Sequence, residues 1–342
     1  MSEPLLEVRD LQVSFRTEEG LVRAVDGISF SLDKGEVLGI VGESGSGKSV
    51  TMLSVMRLII DPNVVFGGEI LFKGRNLMQM PRGEIQQVRG AEIAMIFQDP
   101  MTSLNPVYRV GWQITEQIRS HTRLSKRKAR EWAIELLGDV GIPNPGARID
   151  DYPHQFSGGM RQRVMVAMAL SCKPDLLIAD EPTTALDVTI QAQILKLIKK
   201  LQSEFGSSVV IITHDMGVVA DIADRVLVMY AGRTVEQGRK RDVFYDPQHP
   251  YTWGLLGSIA RLDRPKGERL ASIPGAPPSL IARPSGCHFE PRCAHRFDRC
   301  TVDDPRLTAK VGDDHLDACH LDAATKRVDR PGTVVPTPQR SS

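Results

Sequence analysis

Apolar residues in this chain fall into two kinds of strand-like run, with helical stretches between them. Leu5 to Phe15 alternates apolar and polar positions, and after a turn near Glu18-Glu19-Gly20 the alternation returns through Val22 to Val25 and over Ile28 to Leu32. Period two over such lengths predicts strands of an antiparallel sheet with one buried face. Val37 to Val41, Ile93 to Phe97, Leu176 to Ala179 and Val209 to Thr213 are instead short and almost wholly apolar, as in strands covered on both faces. Val50 to Met56, Val110 to His121, Lys126 to Val140, Val164 to Ser171 and Val188 to Gln202 read as helices. Buried strands alternating with helices predict an α/β fold around a parallel sheet.

The later part of the chain reads differently. Arg225 to Tyr230 and Arg233 to Gly238 flank Ala231-Gly232 and predict a hairpin. Asp242 to Ile259 predicts two short helices about a turn at Gln248-His249-Pro250. Pro274, Gly275, Pro277, Pro278, Pro284 and Gly286 mark an irregular connector, with a small separate unit expected beyond it and a polar, disordered tail after about Arg327.

Candidate chemistry gathers at the strand ends. Gly42-Glu43-Ser44-Gly45-Ser46-Gly47-Lys48-Ser49 fits G-x-x-x-x-G-K-[ST], with an apolar strand before it and a helix after it, the context a phosphate loop needs. Its glycines let backbone N–H groups converge on β- and γ-phosphates at a helix N-terminus, Lys48 adds a charge, and Ser49 a hydroxyl for Mg²⁺. Gln98, Asp180, Glu181 and His214 each follow an apolar strand. Two carboxylates delivered at a strand end suit Mg²⁺ coordination through Asp180 and activation of water by Glu181. Ser157-Gly158-Gly159 opens a helix with a good capping residue and exposed N–H groups, a second phosphate-type site. Phe15, upstream of the loop, is placed either to stack on adenine or to fill the sheet core.

Charged residues make up 25% of the 342, with a net charge of +1, which gives no electrostatic reason to expect nucleic acid. No run approaches the roughly 18 apolar residues of a membrane span, and Met1-Ser2-Glu3-Pro4 lacks the features of a signal peptide, so a cytosolic chain is expected. Four of the five cysteines, Cys287, Cys293, Cys300 and Cys319, lie in the last fifth of the chain. In a reducing compartment this clustering suggests metal before disulfides, and four soft thiolates suit zinc or an iron–sulfur centre. Their separations of five, six and eighteen residues do not choose between the two, and His288, His295 and His320 stand near enough to replace a thiolate in a zinc site.

In this order the motifs closely resemble the nucleotide-binding subunit of ATP-binding cassette (ABC) transporters. Gly42 to Ser49 is similar to Walker A, Gln98 to the Q-loop, Ser157 to Gly159 to the signature, Leu176 to Glu181 to Walker B, Ala185-Leu186-Asp187 to the D-loop and His214 to the switch histidine. Met160 stands where the general pattern has Gln, a departure shared with the peptide-importer branch. Gln98 to Pro106, His249-Pro250-Tyr251-Thr252, Ile273-Pro274-Gly275 and the cysteine region are similar to the dipeptide/oligopeptide importer ATPases over about residues 5 to 325.

The resemblance implies a P-loop NTPase (RecA-like) core with an antiparallel β subdomain over residues 1–250, a helical subdomain at about 99–163 inside it, a cysteine-containing extension at 251–326, and a tail at 327–342. It implies ATP and Mg²⁺ as cofactors, with contacts from Phe15, Gly42, Ser44, Gly45, Ser46, Gly47, Lys48, Ser49, Val50, Gln98 and Asp180, and with Ser49, Gln98 and Asp180 serving the metal. Glu181, His214 and Gln98 carry catalysis, while Ser157, Gly158 and Gly159 meet nucleotide bound mainly by a second, homologous ATPase subunit, expected to differ from this one. The other partners implied are two transmembrane permeases and, through them, an extracytoplasmic substrate-binding protein, which puts the chain on the cytoplasmic face of the membrane. The implied role is ATP hydrolysis powering uptake of di- or oligopeptides. Nickel or another small solute is the alternative cargo, and a soluble cassette ATPase of translation or DNA repair the alternative class. The family further implies a four-iron four-sulfur cluster on Cys287, Cys293, Cys300 and Cys319, with zinc as the alternative.

Overall fold

The computed structural model describes residues 3–99, 103–183, 188–258, 273–309 and 314–330. Among the described residues the strands in chain order are β1 (Leu6–Thr17), β2 (Gly20–Leu32), β3 (Val37–Val41), β4 (Val64–Phe72), β5 (Arg75–Asn76), β6 (Ile93–Ile96), β7 (Leu176–Asp180), β8 (Ser208–Thr213), β9 (Arg225–Tyr230), β10 (Arg233–Arg239), β11 (Thr308–Ala309) and β12 (Leu316–Asp317). The chain divides into two compact units.

The first unit holds the described parts of Met1–Leu32, Val37–Met78 and Thr213–Ser342. Its N-terminal sheet is antiparallel in the order β2-β1-β4-β5. Leu6, Val8, Leu11 and Val13 are all buried, and the register shift between Val8 and Leu11 is what keeps both pairs on one inward face where strict alternation would put them on opposite faces. β2 is one long strand rather than two pieces, because its pairing with β1 runs from Thr17↔Gly20 to Leu6↔Leu32 and absorbs the break in pattern as register shifts. β3 pairs in parallel with β9, Ile40 opposite Leu227, and β10 continues antiparallel from β9. β12 then pairs with β10 through Glu236↔Asp317 and Gln237↔Leu316. The segment beyond the proline connector thus shares the sheet that carries β3.

Side chains reinforce that join. Phe289 lies in the same buried cluster as Val41, Val228, Tyr230, Phe244 and Tyr251. Glu236, fully buried, accepts from the N–H groups of Gln248 and His249 and from His315 Nε2 at 2.7, 2.9 and 2.8 Å. Lys326 Nζ reaches Asp317 Oδ1 at 2.6 Å with both side chains buried. The helix Ala323–Asp329, capped by Asp322, carries order past the point where composition suggested a disordered tail, because it buries Lys326; residues 331–342 lie outside the described residues.

The second unit holds Asp33–Glu36 and the described parts of Gln79–Ile212. β6, β7 and β8 run parallel, with Ile93↔Leu176 and Leu176↔Ser208 in register. Every residue of β7 and β8 is buried, which is why their sequences show no alternation. The helices Val110–His121, Lys126–Asp139 and Gly158–Leu170 form the insert. Val110, Ile114 and Ile118 on the first and Ala129, Ala133, Leu136 and Leu137 on the second are buried at three- and four-residue steps. Among the described residues no helix is long and apolar enough to cross a membrane.

Candidate nucleotide site

In the first unit, β3 ends in the glycine loop and the helix Lys48–Val55 begins at its close. Gly42 has φ +156° and Gly47 φ +97°; a Cβ would lie 2.2 Å from Met229 O at the first and 2.3 Å from Ala24 O at the second. Only glycine fits either place. Gly47 caps the helix in left-handed geometry with no side-chain bond, at the helix end whose dipole favours an anion. Lys48 is 4% exposed, and its Nζ donates to Gly42 O at 2.7 Å and Glu43 O at 2.8 Å. Ser44 and Gly45 are exposed, Ser46 is buried, and Ser49 and Val50 are half-buried on the first turn. These residues fit a polyphosphate and a divalent cation: donors converge, a cation backs them, and a hydroxyl follows.

Phe15 is half-buried on β1 and is not among the buried core residues, so filling the sheet core does not account for it. His214 follows β8 and is exposed, and Asp215 beside it caps the helix Met216–Ile222 by accepting from Gly217 N–H.

In the second unit, Asp180 ends β7 and is 6% exposed. Glu181, next in the chain, adopts φ +45°, a left-handed conformation unusual for a non-glycine residue. Its N–H donates to Ile212 O at 2.9 Å, and its Oε2 accepts from Gln98 Nε2 at 2.9 Å. Two residues expected to serve one reaction from separate strand ends are thus brought into contact. Gln162, buried in the helix Gly158–Leu170, donates to Pro182 O at 2.6 Å and fixes the turn after Glu181; sequence reasoning missed it, and an amide at a buried helical position is the signal for it. Ser157 accepts from Met160 N–H at 3.4 Å as the N-cap of the same helix, and Ser157 and Gly158 face outward. The D-loop residues 185–187 and the Q-loop residues 100–102 lie outside the described residues.

The cysteine expectation requires correction. Cys287, Cys293, Cys300 and Cys319 do line one small pocket, together with His295 and His320. Yet no group of three or more His, Cys, Asp or Glu side chains able to hold a metal ion occurs among the described residues, so neither a four-iron four-sulfur cluster nor zinc at these cysteines is supported. None of the four is in a disulfide. Burial, the largest influence on each, pushes the Cys287 thiol up to about 12 and that of Cys293 to about 11. Clustering in sequence located the pocket but misjudged its chemistry.

Comparison with known proteins places these features in one family. Residues 25–184 match the ABC transporter family, and residues 235–300 match the C-terminal region of oligopeptide/dipeptide transporters. The oligopeptide transport ATP-binding protein OppD of Bacillus subtilis is 56% identical over 91% of this chain and 87% of its own. The dipeptide transport ATP-binding protein DppD of the same organism is 54% identical over 93% and 95%, and OppD of Escherichia coli 53% over 89% and 90%. Among solved structures, a dimeric ATP-binding cassette in a post-hydrolysis state bound to ADP and Pi aligns with a TM-score of 0.62 at 26% identity, covering 69% of this chain and 99% of that one. The fold is that of an ABC ATPase, and the chain belongs to the ATP-binding subunits of oligopeptide and dipeptide ABC transporters.

Proposed function

We propose that this chain hydrolyses ATP to power the import of di- or oligopeptides through a pair of membrane-spanning permeases. The observation that carries the reading is identity above half over about nine-tenths of the chain to ATP-binding proteins named for oligopeptide and dipeptide transport. In this reading Gly42 to Ser49 and Val50 cradle the phosphates, Lys48 neutralises their charge, Phe15 stacks on the base, and Ser49, Asp180 and Gln98 hold Mg²⁺ or its water shell. When bound, that ion draws charge from the phosphate being transferred. Glu181 takes the proton of the attacking water, Gln98 holds the Glu181 carboxylate in place, and His214 contacts the γ-phosphate. Ser157, Gly158 and Gly159 donate to nucleotide held by a second ATPase subunit, a homologue rather than a copy.

The permease is met by the insert, where Val107, Tyr108 and Trp112 are exposed and the two rings stack at 4.2 Å. The complex sits on the cytoplasmic face of the membrane and receives peptide from an extracytoplasmic binding protein. The test is reconstitution of the chain with its cognate permeases and second ATPase in vesicles. Peptide uptake that needs ATP and this chain is expected, as are crosslinks to a permease from a cysteine placed at Tyr108. Uptake of nickel but no peptide under the same conditions would remove the cargo assignment.

A further inference from the structure

The phosphate loop is gripped by a residue of the cysteine-bearing extension. Arg292 lies in the 3₁₀ turn Glu290–Arg292, directly before Cys293, and its side chain is 3% exposed. Its Nη1 donates to Glu43 Oε2 at 2.6 Å and its Nη2 to Glu43 Oε1 at 3.0 Å, a two-pronged pair joining residues 249 apart in the chain. Nε donates to Pro274 O at 2.9 Å and Nη2 also to Ile273 O at 3.2 Å, so the guanidinium is fixed to the extension's own backbone. Glu43 is the second residue of the glycine loop, and its N–H donates to Tyr251 Oη at 2.8 Å. Beneath the pair Tyr230, Tyr251 and Phe289 pack ring to ring at 4.6 to 5.4 Å.

Glu43 is bonded in turn to the phosphate-binding groups. The carbonyl of Glu43 accepts from Lys48 Nζ at 2.8 Å and from Ser46 N–H at 3.3 Å. A planar fork bound to both carboxylate oxygens sets the orientation as well as the position of its partner, which a flexible lysine or a single bond would not. The glycines around Glu43 carry no side chains of their own, so among the side chains of these first residues the Glu43 carboxylate is the one that anchors the loop to the extension.

We propose that Arg292 is a positioning residue for nucleotide binding: through Glu43 it holds the phosphate loop and Lys48 in the geometry that receives ATP, so the extension is part of the nucleotide machinery. The proposal rests on Gly42 to Ser49 being the phosphate loop. It is tested in the full chain assembled with its transporter partners, by ATP affinity from displacement of a fluorescent nucleotide and by KM and kcat for ATP. Glu43→Ala, on the half-buried loop, and Arg292→Met should each raise the Kd and KM for ATP about 10- to 100-fold, with kcat at saturation changed far less. Arg292→Lys should fall between wild type and Arg292→Met. The double variant should be no worse than Glu43→Ala alone, because Arg292 acts through Glu43; losses that add would mean a general structural role and overturn the proposal. Should Arg292→Met not fold, Glu43→Ala decides, and wild-type affinity in that variant overturns the proposal. Lys48→Ala separates the two levels. Loss of binding there with Glu43→Ala intact removes only the role of Arg292, whereas intact binding in Lys48→Ala removes the loop assignment itself.

Discussion

Gln98 Nε2 donates to Glu181 Oε2 at 2.9 Å, from just beyond the ends of two neighbouring parallel strands. The amide holds one carboxylate oxygen and so orients the group, and the φ of +45° at Glu181 sets how its side chain leaves the strand end. Such a conformation costs on the order of 1–3 kcal/mol and persists only where surrounding contacts enforce it. Glu181→Gln should keep ATP binding and lower turnover by roughly 10²- to 10⁴-fold. Gln98→Ala, which removes the orienting bond and not the base, should cost about tenfold in kcat. Phosphate release by the assembled transporter checks both, and turnover unchanged by Glu181→Gln would sink the assignment of the base.

The glycine at position 47 is irreplaceable for a reason that can be measured. A methyl group there would lie 2.3 Å from Ala24 O, and the φ of +97° is strained for any residue with a Cβ. Gly47→Ala should cost about 1–2 kcal/mol from the dihedral alone, more with the clash, and should weaken ATP binding by displacing the helix start. Calorimetric melting with and without nucleotide would show the shift; an unchanged melting temperature would contradict the geometry.

Lys326 and Asp317 form an ion pair in which both partners are buried, at 2.6 Å. Breaking a buried ion pair by removing one partner costs about 3–5 kcal/mol. Lys326→Met should therefore make the segment after residue 314 sensitive to limited proteolysis, while Lys326→Met with Asp317→Leu restores much of the resistance. Equal resistance of wild type and the single variant would speak against the pair's role.

Burial holds the Cys287 and Cys293 thiols protonated, at about 12 and about 11, so at pH 8 the reactive thiolate is scarce. Compared with a free cysteine near 8.5, alkylation should be slower on the order of a hundredfold, and should accelerate as pH rises toward 11. Mass spectrometry after timed iodoacetamide treatment would read this site by site. Labelling as fast in the folded as in the urea-unfolded chain would rule out the shift.

Local features were legible in the sequence. The strand Val37–Val41 matches its expected bounds to the residue, and the helix Val110–His121 does too, because each rests on an uninterrupted pattern bounded by turn or capping residues. That Gln98 and Glu181 both stand at strand ends was legible, but their direct contact was not, because it depends on the pairing of the two strands, which no local pattern reveals. The attachment of the extension was not legible. β12 is two residues long, too short for any period, and Arg292 finds Glu43 across 249 positions with no local mark in either stretch. The thiols failed for another reason: residue type and clustering describe which ligands are near, whereas metal binding depends on their mutual geometry and charge.

The pairing of β12 with β10 at Glu236 and Gln237 also bears on how the protein stays dispersed. β10 gives one side to β9, and its other side would otherwise present unpaired N–H and C=O groups to water. Open strand edges of that kind recruit further chains. The extension therefore acts as a guard against edge-to-edge association, and a protein cut within the proline connector would expose a template for aggregation instead of yielding a smaller working cassette.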